Sequence, residues 1–141
     1  MPVPVAKRSL ALLCALALAL GLAACGSTVS TASFKGESRE VAQAIANLQT
    51  DATAGDQKKV CANDLAASVL TRLGGQAGCE KALKAQLAEI DNLEASVKSI
   101  QIASGATTAT ASVKSTYAGK SRTTAVALVK QGKAWKVSAV R

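Results

Sequence analysis

The chemistry open to this chain is narrow. Its 141 residues contain no histidine, which removes the commonest general base and the commonest metal ligand. Serine and threonine are plentiful, but none stands in a nucleophile motif such as the elbow of hydrolases. Gly74-Gly75-Gln76-Ala77-Gly78 lacks the lysine and the preceding strand of a phosphate-cradling loop. Every carboxylate lies between Glu37 and Glu94, and Asp51, Asp56, Asp64 and Asp91 read as cap or turn residues. No catalytic residue, cofactor or metal site is therefore expected, and the chain reads as a non-enzyme. The remaining reactive groups are four cysteines, Cys14, Cys25, Cys61 and Cys79. Their fates depend on the segments that carry them.

Lys7-Arg8 precede an apolar run from Ser9 to Leu22 in which Leu and Ala alternate, the charge and hydropathy pattern of an export signal. As a helix the run spans about 21 Å, against a hydrocarbon core of about 30 Å. It is too short for a comfortable permanent span. The run ends in Leu22-Ala23-Ala24-Cys25, which resembles the lipobox of bacterial lipoproteins. That resemblance implies cleavage before Cys25 and a diacylglycerol thioether on its sulfur, often with a further acyl chain on the new amino group. Buried methylenes contribute about 0.8 kcal/mol each, so two or more chains anchor stably where one is marginal. The implied location is the outer face of the plasma membrane, or the outer membrane of an organism that has one. Residues 1–24 then form the leader, and residues 25–36 the lipidated cysteine with a flexible tether. The small polar stretch Gly26–Ser33 cannot bury enough apolar surface to fold alone. Phe34 is either the first residue to dock or a plain linker residue.

With Cys14 removed and Cys25 acylated, Cys61 and Cys79 remain in an oxidising compartment. They are expected to be bonded. A closed loop of this length stabilises by about 3 kcal/mol through chain entropy. Bonded cysteines need Cα atoms within about 7 Å, which one unbroken helix over Lys58–Leu73 does not allow. A break is expected near Ala62-Asn63-Asp64, where Asn63 or Asp64 caps a fresh turn.

Residues 37–141 read as one α+β domain. Val41, Ile45, Leu48 and Ala52 recur at helical spacing from Glu37 to Ala54, with Ser38 as N-cap and Gly55 as stop. Cys61, Leu65 and Val69 share a second stripe, and Cys79, Leu83, Leu87 and Ile90 a third. After Asn92 the period changes to two. Val97, Ile100 and Ile102 show a phase slip that predicts a bulge. Ala109, Ala111, Val113 and Tyr117 alternate with polar residues, Thr123–Lys130 is apolar on both faces as a central strand would be, and Trp135, Val137 and Ala139 alternate again. Short turns at Ser104-Gly105, Ala118-Gly119-Lys120 and Gln131-Gly132-Lys133 describe an antiparallel meander of about four strands under N-terminal helices. A long first helix, the Cys61/Cys79 segment and the closing Trp135-Lys136-Val137 hairpin look like the nuclear transport factor 2-like, cystatin-like cone superfamily, especially its small envelope lipoproteins. Enzymes of that superfamily use a carboxylate, or a carboxylate and histidine, inside the cone. The strand half here supplies neither.

Charge is the more informative signal. Residues 95–141 carry Lys98, Lys114, Lys120, Arg122, Lys130, Lys133, Lys136 and Arg141 against no acid, while residues 26–94 carry seven basic and nine acidic side chains. The sheet half is thus positive. Lys114, Lys120, Arg122, Lys130, Lys133 and Lys136 are the candidate contacts to an anionic lipid surface or wall polymer. Tyr117 and Trp135, on the apolar phase, are either core or the mouth of a pocket. Expected partners are the membrane through Cys25, an anionic lipid or wall polymer, or an envelope protein. Nucleic acid is excluded by location and by the lack of stacking aromatics. Three functions fit: a tethered non-enzymatic binding or accessory domain, a small cone-fold hydrolase or isomerase, and a structural or inhibitory protein-interaction domain.

Overall fold

The 17-residue helix α1 (Glu37–Thr53) buries Val41, Ala42, Ile45, Ala46, Gln49 and Ala52, the broad stripe that apolar residues three and four apart produce on one helical face. The computed structural model describes residues 29–90 and 93–141. The N-cap of α1 is Gly36, at φ 56°, and not Ser38. Glu37 starts the helix because its carboxylate is held from outside, as described below. Gly55, at φ 68°, turns the chain just past the helix end as expected.

The cysteine segment is the least regular part. Asp56 caps the short helix α2 (Gln57–Lys59) by accepting from the Lys59 N–H at 3.0 Å. A π-helical turn over Val60–Asp64 follows. The backbone becomes extended at Leu65 (φ −93°, ψ 143°) before α3 (Ala67–Arg72) and α4 (Gly75–Ala88). Cys61 and Cys79, both fully buried, are bonded with Cα atoms 6.0 Å apart. The helix break that this bond demands is present. It falls at Leu65-Ala66 and not at Ala62–Asp64, and no side chain caps α3. The break is instead held by the sheet: Leu65 bridges Val137 in parallel, and the Ala66 N–H donates to the Val137 carbonyl at 2.8 Å.

The sheet is an antiparallel meander β1-β2-β3-β4: β1 Glu94–Ile102, β2 Thr108–Tyr117, β3 Lys120–Gln131, β4 Ala134–Val140. The helices precede it, and the architecture is α+β. The predicted slip in β1 is a bulge between Val97 and Ser99. It rotates Ile100 and Ile102 onto the face that packs against the core with Val97. A second irregularity, between Ala127 and Leu128 opposite β4, has no signature in the apolar pattern. Strand β3 buries only Val126 and Leu128; Ala125 is exposed, and Ala127 and Val129 are half-buried. Its apolar run thus reflects small residues tolerated on an open face, and not the two covered faces expected of a buried central strand.

The core joins α1, β2, β3 and β4 through Val41, Ile45, Ala111, Leu128, Trp135 and Val137. Val29 belongs to it as well, 4% exposed. The Val29 N–H donates to Gln49 Oε1 (3.2 Å), and Gln49 Nε2 donates to the Leu93 carbonyl (2.9 Å). Val29, seven residues before the end of the tether drawn at residues 25–36, is therefore already packed. Val29 thus finds a hydrophobic site for its side chain and a side-chain acceptor for its backbone N–H. Phe34 is half-buried and lies outside the core.

Two predictions follow from the cysteine segment. A side chain at Gly78 would place its Cβ 1.9 Å from the Leu73 carbonyl oxygen. Gly78→Ala should therefore cost at least about 1–3 kcal/mol of overpacking, read as a fall in thermal midpoint. Replacing both Cys61 and Cys79 by alanine should cost about 3 kcal/mol, measured by denaturant unfolding without reductant.

Candidate functional site

The N-terminus of α1 is gripped by the turn between β3 and β4. Glu37 accepts from Lys130 Nζ at 2.5 Å through one oxygen and from Trp135 Nε1 at 2.9 Å through the other. Lys130 Nζ also stands 5.8 Å from the Trp135 ring centre, within cation–π range. The Lys130 ammonium, then the indole N–H, hold the Glu37 carboxyl below its ordinary range, and Glu37 in turn holds Lys130 above its own. A carboxylate in the first turn of a helix also complements the helix dipole.

Beside this grip lies a cleft of about 230 Å³. One wall is the α1 row Glu40, Gln43, Ala44 and Asn47; the π turn supplies Asn63 and Asp64; Trp135 and the β3–β4 turn close it. Gln43 Nε2 donates to Asn47 Oδ1 at 2.9 Å along the helix. Lys136 donates to the Asn63 carbonyl and fixes the π turn against β4. Asp64 is 5% exposed, and its Oδ2 has no hydrogen-bond partner. Burial raises its pKa to about 7, the charge of neighbouring Asp51 and a hydrogen bond with it add to the shift, and Lys136 opposes them. At neutral pH Asp64 is therefore poised between acid and carboxylate. Such a group is equipped to give or take a proton.

The sequence-predicted residues divide. Trp135 is buried at the cleft wall, 4% exposed. Tyr117 is 44% exposed and donates to the Glu89 carbonyl past the end of α4 at 2.7 Å. The two share a strand phase but sit at opposite ends of the sheet, so they line no common pocket. The six candidate basic residues divide the same way. Lys130 is in the Glu37 grip, Lys136 bonds the π turn, and Lys133 borders the cleft. Lys114, Lys120 and Arg122 are exposed toward the β2–β3 turn. The basic residues therefore form no single positive face, because successive turns of a meander lie at opposite ends. Cys25 and Asp91 lie outside the described residues. Asp56 is a cap as predicted, whereas Asp51 lies within α1 and Asp64 in the buried π turn. Asp64 was expected only as a cap or turn residue, and Glu37 and Gln49 were not singled out; the available signal for Asp64 was its place beside the buried stripe of Cys61 and Leu65.

Among the described residues, no group of three or more acidic or cysteine side chains is placed to hold a metal ion, and no helix is long and apolar enough to cross a membrane.

Asp64 gives a pH prediction with a definite sign. Its folded-state pKa lies above its ordinary 3.8, so the stability it contributes is fully present below that value and is lost as pH rises through about 7. Asp64→Asn should therefore be more stable than the parent above pH 8, on the order of 1–3 kcal/mol, with the difference shrinking toward pH 4. Thermal midpoints of both proteins across pH check this, and a pH-independent difference contradicts it. Compared with known proteins, the chain matches no family model, no curated protein and no solved structure.

Proposed function

We propose that this chain is a non-enzymatic, membrane-anchored binding or accessory domain of the bacterial cell envelope, held by lipid on Cys25. The observation that carries the reading is the burial of Val29, four residues after Cys25. Val29 is docked in the core only four residues from the proposed lipid attachment, and four residues reach at most about 14 Å. The Cys61–Cys79 bond supports the same compartment, since such bonds persist outside the reducing cytosol. Helices ahead of a four-stranded antiparallel meander, with Trp135 in the last hairpin, support the likeness to the nuclear transport factor 2-like superfamily.

A second reading draws on Asp64. A small hydrolase or isomerase needs a carboxyl inside its pocket, and Asp64 lines the cleft with a pKa near neutrality. Glu40 and Lys133 line the same cleft, but Asp64 Oδ2 is bonded to neither, and the chain has no histidine to serve as a partner. The binding reading therefore stands first.

Intact mass of the protein extracted from membranes of a lipoprotein-processing bacterial host tests the proposal. The expected mass is that of residues 25–141 with diacylglycerol added. Cys25→Ser should lose the acyl mass and keep an unprocessed leader. A mature protein that starts elsewhere, or carries no lipid, overturns the anchoring.

A further inference from the structure

The chain enters the fold at one end of the sheet. Val29 is bonded to Gln49 in the last third of α1, and Gln49 reaches the Leu93 carbonyl at the start of β1. Glu94, the next residue, pairs with Thr116, and Tyr117 pairs with Lys120 across the β2–β3 turn. The entry point and that hairpin therefore share an end of the domain. Ten strand residues, about 33 Å, separate Lys120 from Lys130 and the cleft at the other end.

The two ends use their cations differently. At the far end, Lys130 is paired with Glu37, Lys136 donates to backbone carbonyls, and Lys133 is exposed at the cleft that Glu40 also lines. At the entry end, Lys114, Lys120 and Arg122 are exposed, with Lys98 exposed at the bulge midway along β1, and none is in an ion pair among the described residues. Register places Lys120 and Arg122 on the phase of Tyr117 and Ser115, the side of the sheet on which Val29 packs. Among the described residues Glu89 and Glu94 bring two negative charges to this end, fewer than its cations, and Asp91 lies outside the described residues. Tyr117 is anchored at its hydroxyl to the Glu89 carbonyl and is still 44% exposed. An aromatic ring beside basic residues is the composition favoured at a headgroup boundary. Ala118 and Gly119 both have positive φ, 49° and 73°, as a two-residue I′ turn requires, so the tip is short and stiff.

We infer that the β2–β3 hairpin is the membrane-facing end of the domain, with Tyr117, Lys120 and Arg122, flanked by Lys98 and Lys114, engaging anionic lipid headgroups. The inference rests on the proposed lipidation of Cys25. A connection of at most about 14 Å holds this end near the bilayer, so even weak headgroup contacts are made at high effective concentration. Each favourably placed cation strengthens binding to an anionic surface about fivefold.

The test uses the full lipidated protein, its mass verified, in nanodiscs that carry a paramagnetic headgroup lipid. Amide signals of residues 117–122 should broaden in discs of anionic lipid, while those of residues 131–134 at the far turn should not. Substituting zwitterionic lipid, or introducing Lys120→Glu with Arg122→Glu, should reduce the broadening at least fivefold. Lipidated protein whose hairpin amides stay sharp, or whose far turn broadens instead, overturns the orientation and leaves the anchoring intact. Hairpin signals that respond only to an added anionic wall polymer also overturn it. A correct chain without lipid on Cys25 removes both.

Discussion

The bond between Cys61 and Cys79 is the constraint from which most of the irregular structure follows. It joins a π turn to the first turn of α4, with both half-cystines fully buried. A continuous helix through Leu65 is incompatible with it, so the chain becomes extended at Leu65-Ala66 and lies along β4. That move carries Asp64 inward beneath α1. The orphaned carboxyl oxygen, the raised pKa and the cleft thus trace to one covalent link between the π turn and α4. A π turn is an uncommon solution, and here it inserts one residue where the bond requires Cys61 to face inward.

Electrostatics then separates the ends of the sheet. Glu37 gathers Lys130 and the Trp135 indole, which sets the angle at which α1 crosses the last hairpin. Gln49, two-thirds along the same helix, gathers Val29 and Leu93. One helix therefore carries both clamps, one charged and one neutral. The charged clamp pairs Lys130, while the β2–β3 hairpin keeps its cations in solvent.

Much of the architecture was legible because it rests on periodicity. The α1 stripe, the meander with its turns, and the β1 slip at Val97 all follow from side-chain direction, and the helix break from the geometry of a disulfide. What escaped depends on partners distant in sequence. Ser38 looks like a better cap than Gly36 until Glu37 is seen to be held by Lys130, 93 residues away. Val29 looks like linker until the Gln49 amide is placed. Asp64 looks like a turn former because nothing local reveals that Leu65 pairs with Val137. The net charge of the sheet half was readable, but its division between two ends is a property of topology and not of composition.

The Leu65 bridge has a consequence for how neighbouring copies meet. A sheet of four strands has two open ladders, and an unpaired ladder is a template for another chain. On β4 the Leu65-Ala66 segment already occupies part of that ladder, and Arg72 donates to the Ser138 carbonyl further along at 3.2 Å. On β1 the bulge breaks the regular spacing of amides and sets exposed Lys98 at the break. A strand from a second copy meets an occupied edge on one side and a charged, out-of-register edge on the other. Both edges are therefore poor templates for a strand added from a second copy.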